Sequence, residues 1–139
     1  MTTFPFEHDV DVRFRDCDPM GHVNNAVYLT YLESARFAWW RMVFGPEALR
    51  EHGFIVARVE IDYRRAALPG QRLRVRLGAG TIGRSSFTVE YEIVDPATGE
   101  RIAEARTVQV AYDYEEGRPV PLAASVRRQL EGSVVTRNP

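Results

Sequence analysis

Apolar and polar residues alternate along several segments of the chain, with the period of a strand that buries one face. The first such segment is residues 8–15, where Val10, Val12 and Phe14 stand between charged residues. Four later segments show the same alternation, at residues 54–64, 72–77, 87–93 and 101–114. The pattern therefore predicts about five strands.

Between the first of these strands and the others, apolar residues recur at spacings of three and four, which indicates a helix. No Gly or Pro interrupts residues 25–44, and Gly45-Pro46 then gives a stop signal. Asn24 or Asn25 suits the N-cap position. Such a helix is about 30 Å long at about 1.5 Å per residue, and its broad apolar stripe predicts that most of it is buried.

The links between the later strands are short and rich in Gly, Pro and Asp, as turns between antiparallel neighbours are. We expect these turns at residues 68–70, 78–85 and 95–99. The strands on either side of the second turn fit a register with Arg76 opposite Glu92, because their apolar faces then match. A short amphipathic helix is expected after the strands, at residues 122–130.

These elements predict an α+β fold in which an antiparallel sheet covers one long helix. A sheet that wraps a single helix must curve strongly, and Gly78, Gly80 and Gly83 are placed to help it bend. A length of 139 residues suits one domain, residues 1–139, which buries roughly two thirds of its unfolded surface. Exposed sheet edges favour association with a second copy.

Charge and composition exclude several classes of protein. The chain has 18 basic and 19 acidic residues and a net charge of -1, whereas nucleic-acid-binding proteins normally carry a basic excess. Every basic residue is Arg, which excludes Schiff-base chemistry by Lys. The single Cys17 excludes an internal disulfide and a cluster of Cys ligands, and we expect no metal and no cofactor. No segment is apolar enough to span a membrane and no secretory signal precedes the first strand, so a cytoplasmic location is expected.

The segment with the clearest chemistry is residues 16–33, D-C-D-P-M-G-H-V-N-N-A-V-Y-L-T-Y-L-E. It places carboxylates on a tight turn just before the start of the buried helix. The free N–H groups of a helix start, with the positive end of the helix dipole, stabilise developing negative charge. A carboxylate that faces them can attack an acyl carbonyl held between the two, or activate a water. By spacing alone, an Asp that merely stabilises the turn is the more frequent case.

The turn D-x-D-x-x-G, the H-V-N-N after it and the helix N-A-V-Y-L-T-Y-L-E-S-A-R together resemble the signature of hotdog-fold acyl-CoA thioesterases of the 4-hydroxybenzoyl-CoA thioesterase type. The helix followed by four strands extends the resemblance over nearly the whole chain. The resemblance implies a hotdog fold, with a curved antiparallel sheet around a long central helix. It also implies a homodimer or tetramer with active sites at the shared interface.

The resemblance further implies roles for individual residues. The second Asp of the turn is the catalytic carboxylate in that family, which corresponds to Asp18. The backbone N–H that polarises the thioester carbonyl corresponds to Asn25. Some relatives give a role to the His of H-V-N-N, here His22, and use an Asn where this chain has Met20. His22 is therefore expected either to contact the substrate or to form a structural hydrogen bond.

Substrate-binding residues are implied at two further places. Arg84 and Ser85, in G-R-S-S-F, correspond to a turn whose Arg contacts coenzyme A in several relatives. The alternative is that Arg84 is a solvent-exposed turn residue without a ligand. Glu33 lies about two helical turns beyond the helix start. It is expected either to reach the acyl pocket, to act as a second base, or to lie in solvent.

The function that the resemblance implies is hydrolysis of an acyl-CoA or acyl-carrier-protein thioester to a carboxylic acid and a free thiol, with Asp18 as nucleophile or general base. A carboxylate near a positive helix end stays ionised and is a weak base, which favours direct attack. Two alternatives stay open, namely a non-catalytic acyl-CoA or acyl-carrier-protein binding protein and a hotdog hydratase or dehydratase. Neither a nucleic-acid partner nor a membrane span is expected.

Overall fold

The computed structural model describes residues 1–46 and 53–138. Its centre is helix α1, Val27–Phe44, which forms along the segment that lacks Gly and Pro and carries the apolar stripe. The residues on its most buried face are Leu32, Ala35 and Trp39. The helix ends at Gly45, whose φ of 91° favours glycine and whose N–H donates to the Arg41 carbonyl. The predicted end of the helix is confirmed.

The helix starts two residues later than expected, and no asparagine caps it. Its N-cap is Ala26, which has no side-chain acceptor. Asn24 accepts from the Ala26 N–H through Oδ1 at 2.9 Å, a local bond that forms ahead of the first helical residue. The expectation that Asn24 or Asn25 is the N-cap is therefore wrong.

The described residues form eight strands and a second helix. The strands are β1 (Thr2–Thr3), β2 (Phe6–Asp11), β3 (Phe54–Tyr63), β4 (Arg72–Ile82), β5 (Ser86–Val94), β6 (Arg101–Asp113), β7 (Arg118–Pro119) and β8 (Thr136–Arg137). Helix α2 spans Ala124–Glu131. The main sheet has the order β2-β4-β5-β6-β3, with β7 paired to β6, while β1 and β8 form a separate pair. All of these pairings are antiparallel, and the main sheet curls around α1 as a half-barrel, which confirms the predicted fold class.

The four segments predicted after the long helix each form a strand, and β4 and β5 pair with Arg76 opposite Glu92 as predicted. Two boundaries differ. The first strand ends at Asp11, and Phe14 lies in a short 3-10 helix with 87% of its surface exposed. Strand β4 continues to Ile82, so the second turn is limited to residues 83–85, because a register shift between Ala79 and Ile82 lets the strand bend while it stays paired.

One predicted strand adjacency, that of β3 and β4, is wrong. The link around residues 68–70 does not join adjacent strands, since β3 pairs with β6 and β4 lies between β2 and β5. Residues 64–71 instead cross from the edge strand β3 to β4, which lies next to the opposite edge strand, β2. This crossover is held by backbone bonds at both ends: Arg64 N–H donates to Ile102, and Val12 N–H donates to Gln71. It also receives the Val23 N–H at the Ala67 carbonyl, which ties it to the segment that carries the candidate chemistry.

The core lies between α1 and the inner face of the sheet. Strand β4 shows the expected alternation, with Leu73, Val75 and Leu77 buried and the arginines between them half-buried or exposed. Gly78 in the same strand allows close packing, because a Cβ there would lie 2.5 Å from the Pro5 side chain. The absence of a side chain at Gly78 thus allows the N-terminal segment to pack against β4.

The outer face of the sheet carries a ladder of ion pairs that crosses the strands. Its β2–β4 rungs are Asp11–Arg72, Asp9–Arg74 and Glu7–Arg76, at 2.8–3.2 Å. It continues through Arg76–Glu92, Arg101–Glu92 and Arg101–Glu104. We call this set the outer-face ladder. Each rung pairs residues that the register places close together, so the charges on β2, β4, β5 and β6 agree with the strand order.

Candidate active site

Asp18 lies on a hairpin turn just before α1. Its N–H donates to the His22 carbonyl at 2.9 Å, and its carbonyl accepts the Gly21 N–H at 3.0 Å. Gly21 has a φ of 87°, and Pro19 occupies the second position of the turn. Pro and Gly suit this three-residue hairpin loop, in which a turn is followed by a residue with left-handed φ. Pro fixes φ at the second position of the turn, and Gly tolerates the positive φ. We call residues 16–24 the Asp18 loop.

The carboxylate of Asp18 is half-buried and held by one bond. Its Oδ1 accepts the Met20 N–H at 2.9 Å, as in an Asx turn. Within the described part of the chain, this is the only hydrogen bond of the Asp18 side chain. One oxygen is therefore oriented by the loop, and the other is available to a ligand.

Asp16, two residues earlier, is buried, and one of its carboxylate oxygens accepts two hydrogen bonds. Its Oδ2 accepts the Arg13 N–H at 2.9 Å and the Tyr31 hydroxyl at 2.8 Å. Burial alone favours the neutral acid, but the bonds from Arg13 and Tyr31 outweigh it, and the pKa of Asp16 lies below its ordinary value. Burial and the Asp16 carboxylate both raise the pKa of Tyr31. Asp16 therefore anchors the Asp18 loop to α1, and the two carboxylates of the turn have different surroundings.

The start of α1 borders a pocket of about 270 Å³ that His22 and Asn25 both line, with Tyr28, Tyr63, Arg64 and Arg65 among the other lining residues. Asn25 accepts the Tyr63 hydroxyl at its backbone carbonyl, at 3.0 Å. Its own N–H has no acceptor among the described residues. The structure thus brings His22, at the end of the Asp18 hairpin, together with Asn25 at the helix start, whereas Asp18 is not among the lining residues of this pocket.

A second pocket, of about 190 Å³, lies between α1 and the edge strand β3. Its lining is mainly apolar and includes Glu33; the residues are Leu29, Leu32, Glu33, Arg36, Val56, Val59 and Thr107. We call it the α1–β3 pocket. Leu29, Val56 and Val59 are about 40% exposed in the single chain, which is high for apolar side chains on a helix and a strand. Glu33 therefore lies beside a partly exposed apolar surface.

Arg36 also lines this pocket and is 7% exposed. Its Nη1 donates to the Tyr91 hydroxyl at 3.0 Å, and its guanidinium lies 5.7 Å from the centre of the Trp40 ring. The Tyr91 hydroxyl also bonds to Thr107 Oγ1, at 2.7 Å. The sequence motifs assign no function to Arg36. The sequence shows only that a charged residue interrupts the apolar stripe of the helix.

Arg84 and Ser85 lie elsewhere, in the turn between β4 and β5. Arg84 is exposed, and its carbonyl accepts the Leu122 N–H at 2.8 Å. The Ser85 carbonyl accepts the Ala111 N–H at the same distance. Neither residue lines the two pockets described above. Their backbones fix the turn, and the Arg84 side chain is accessible to a ligand.

Other chemistries find little support at this site. Burial raises the pKa of the Cys17 thiol, and the charges of Asp16 and Asp18 raise it further, so the thiolate is disfavoured as expected. In residues 1–46 and 53–138, no cluster of three or more His, Cys, Asp or Glu side chains is arranged to hold a metal ion. No helix among those residues has the length and apolar character needed to cross a membrane.

Comparison with known proteins identifies the family. The sequence model of the Thioesterase-like superfamily matches residues 12–130. A thioesterase from Thermus thermophilus, solved in complex with coenzyme A and Zn, is 41% identical; the alignment covers 93% of each chain with a TM-score of 0.83. The chain therefore belongs to the thioesterase-like superfamily of the hotdog fold, and its enzyme class is thioester hydrolase.

Two curated relatives give the range of activities within similar sequences. The long-chain acyl-CoA thioesterase FadM of Escherichia coli is 28% identical over 127 residues, which cover 90% of this chain and 96% of that protein. A 1,4-dihydroxy-2-naphthoyl-CoA hydrolase of Synechococcus elongatus is 24% identical over 129 residues, which cover 86% of this chain and 90% of that protein. One relative is named for a fatty acyl group and the other for an aromatic one.

Proposed function

We propose that the chain hydrolyses acyl-CoA thioesters at the Asp18 loop, with Asp18 acting on the carbonyl carbon and the Asn25 N–H polarising the carbonyl oxygen. The observation that supports this proposal is a pair of groups without partners, one on the Asp18 loop and one at Asn25, just before the helix start. Asp18 has a carboxylate oxygen without a hydrogen-bond partner, and the Asn25 N–H has no acceptor among the described residues. A nucleophile and an oxyanion donor are what acyl transfer needs.

In the mechanism that we favour, an Asp18 oxygen attacks the thioester carbonyl. The tetrahedral intermediate expels the coenzyme A thiolate and leaves a mixed anhydride on Asp18. Water then hydrolyses the anhydride, which releases the acid and restores the carboxylate. We favour direct attack over general-base catalysis because one Asp18 oxygen has no hydrogen-bond partner among the described residues and can bond to the carbonyl carbon. His22 lines the pocket at Asn25, and we assign it to contact with the substrate or the attacking water.

A pair of variants tests the role of Asp18. Asp18→Asn is expected to slow thiol release by about 10²–10⁴-fold without a change in the urea midpoint. Asp113→Asn is the matched control, because Asp113 Oδ1 also accepts backbone N–H groups in a turn, from Glu115 and Glu116, and lies on a different loop. Equal rates for the two variants would remove Asp18 from the mechanism. Thioester binding without thiol release by the unmodified protein would instead indicate a non-catalytic binding protein, and an enoyl product would indicate a hydratase or dehydratase.

A single turnover in ¹⁸O-labelled water tests for nucleophilic catalysis by Asp18. If Asp18 forms the anhydride, label enters its side chain when water attacks on the enzyme side, and mass spectrometry of the Asp18 peptide detects it. Label in Asp18 requires the anhydride, whereas label confined to the released acid is expected both from general-base catalysis and from attack of water on the acyl carbonyl of the anhydride.

The carrier is proposed to be coenzyme A, as in the Thermus thermophilus neighbour, with Arg84 and Ser85 near its phosphates. Arg84 is exposed and the turn that holds it is fixed by backbone bonds. Arg84→Gln should weaken inhibition by free coenzyme A more at low salt than at high salt, whereas Arg128→Gln, an exposed arginine on α2, should not. An unchanged inhibition constant for Arg84→Gln at both salt concentrations would exclude this contact.

We further propose a homodimer in which β3 of one copy faces β3 of the other. Strand β3 pairs on one side only, with β6, and its Val56, Val59 and Tyr63 side chains are 40–46% exposed. The opposite edge, β2, exposes Glu7, Asp9 and Asp11 on its outer face, where they pair with arginines of β4. Such a dimer would cover the α1–β3 pocket, which we assign to the acyl group.

Sedimentation equilibrium tests this arrangement. Val59→Glu should give a monomer with reduced turnover, because it places a charge in the interface. Leu68→Glu, at a 52% exposed leucine of the crossover, should remain dimeric. A monomeric unmodified protein with full activity at micromolar concentration would contradict the dimer, and dimeric Val59→Glu would place the interface elsewhere.

A further inference from the structure

Arg36 is a buried cation without a counter-ion. Only 7% of its surface is exposed, and no carboxylate lies within ion-pairing distance of it among the described residues. Its hydrogen bond goes to a neutral hydroxyl, that of Tyr91. Buried arginines are normally paired, since an uncompensated charge in the interior is costly. The residue is therefore not explained by its intramolecular contacts.

The guanidinium also carries an unused donor. Nε of Arg36 is buried and has no hydrogen-bond partner. A buried N–H without an acceptor loses its hydration and gains nothing in return, so native structures rarely contain one. The donor belongs to a side chain that lines the α1–β3 pocket. Because Nε is sealed from solvent, a ligand oxygen would meet the guanidinium at Nη2, which also has no hydrogen-bond partner among the described residues.

The contacts of Arg36 hold its side chain in place for such a ligand. Nη1 is fixed by Tyr91, which is itself fixed by Thr107, and the guanidinium lies near the Trp40 ring. Thr107 also lines the pocket, next to Arg36. The remainder of the lining is apolar except for Glu33, so the pocket combines an apolar wall with one oriented cationic donor, as specific ligand sites do.

We propose that Arg36 is a specificity-determining residue that donates a hydrogen bond to an oxygen in the acyl group of the substrate. The preferred acyl group therefore carries a hydroxyl, keto, phenol or carboxylate oxygen and is not a plain hydrocarbon chain. This inference rests on the proposed function, because it takes the α1–β3 pocket as the acyl site.

The oxygen that binds Arg36 is distant from the thioester. Arg36 is ten residues beyond Ala26 on α1, or about 15 Å along the axis at about 1.5 Å per residue. An acyl group whose carbonyl lies at the helix start therefore presents its far end to Arg36. Acyl groups with an oxygen at the far end should be preferred to those with an oxygen next to the thioester.

The test compares three thioesters of equal chain length, octanoyl-CoA, 8-hydroxyoctanoyl-CoA and the monothioester of octanedioic acid. We expect the unmodified protein to favour at least one oxygenated substrate by about 10- to 100-fold in kcat/KM, the range for a hydrogen bond to a charged group. The hydroxyl and carboxylate compounds distinguish a neutral acceptor from an anionic one. Arg36→Met should reduce the ratio to about 1, and Arg36→Lys should not restore it, since Lys lacks the fixed geometry of guanidinium.

The matched control is Arg41→Met, an exposed arginine on the same helix, which should keep the preference. Binding of the corresponding S-alkyl-CoA thioethers, measured by calorimetry, tests Arg36 independently of turnover. A binding preference without thiol release would support the role of Arg36 and refute the proposed hydrolysis. Thiol release with no preference for oxygenated chains by the unmodified protein, or a preference that survives Arg36→Met, would refute the role of Arg36 and leave the hydrolysis standing.

Discussion

The bond between Tyr31 and Asp16 gives a prediction that the structure quantifies. Asp16 is 8% exposed and Tyr31 is 4% exposed, and the Asp16 carboxylate oxygen has two donors, the Arg13 N–H and the Tyr31 hydroxyl. Tyr31→Phe removes one of them with little change in shape. A hydrogen bond to a charged group contributes about 1.5–3 kcal/mol, so we expect the free energy of unfolding to fall by about 2 kcal/mol at pH 7.

The charge on Asp16 sets the size of this effect, and a double-mutant cycle with Asp16→Asn measures it. In the Asp16→Asn background, Tyr31→Phe removes a bond between neutral groups and should cost about 1 kcal/mol. Urea unfolding of the four proteins, monitored by circular dichroism, gives the coupling energy. A cost below about 0.5 kcal/mol at pH 7 would refute the reasoning, as would equal costs in the two backgrounds.

The same bond predicts a pH dependence. The pKa of Asp16 is lower in the folded protein than its ordinary value, so the ionised carboxylate stabilises the fold at neutral pH. This stabilisation is present above the unfolded pKa, about 3.9, and is lost as the pH falls through the lower folded value. The cost of Tyr31→Phe should therefore shrink below about pH 4. A cost that stays constant or grows on acidification would mean that the Tyr31 hydroxyl does not favour the ionised form of Asp16.

Three further substitutions test other features. Gly21→Ala forces a residue with Cβ into a φ of 87° and should lower the free energy of unfolding by about 1 kcal/mol in urea, whereas Gly132→Ala, at a φ of -79°, should not. Gly78→Ala places a methyl group 2.5 Å from Pro5 and should cost about 1–3 kcal/mol, with partial recovery in the double variant with Pro5→Ala; no cost, or no recovery, would show that this approach is not tight. Arg36→Met should leave the thermal midpoint unchanged or raise it, because an unpaired buried charge is replaced by an apolar chain of similar length, and a lower midpoint would mean that Arg36 is retained for stability.

The sequence was most informative where structure depends on neighbouring residues. The register of β4 and β5 follows from matching apolar faces, and the helix end follows from Gly45. The relation between β3 and β4 was predicted incorrectly because a turn-like composition at residues 68–70 does not show which strand pairs with which. That choice depends on long-range contacts, such as the bonds from Arg64 and Val12, which have no local signal.

The residues of the candidate site likewise differ in how much of their role the sequence could predict. The resemblance pointed to Asp18, His22 and Asn25, whose assignment to catalysis remains a prediction, and the structure adds that His22 and Asn25 share a pocket. The distinction between Asp16 and Asp18 depends on a tyrosine on another element and on burial, which the turn itself does not contain. Arg36 was visible as a charge in an apolar stripe, but its unpaired Nε and its pocket depend on packing between the helix and the sheet.

The outer-face ladder has a consequence for how this sheet responds to heat. Removing a charged group from water becomes less unfavourable as temperature rises. A network of linked ion pairs therefore contributes relatively more to stability at high temperature than at room temperature. The opposite holds for added electrolyte, which screens exposed charges within a few ångströms at molar concentration. The outer-face ladder should therefore stabilise the sheet more in warm, dilute solution than in cold, concentrated salt.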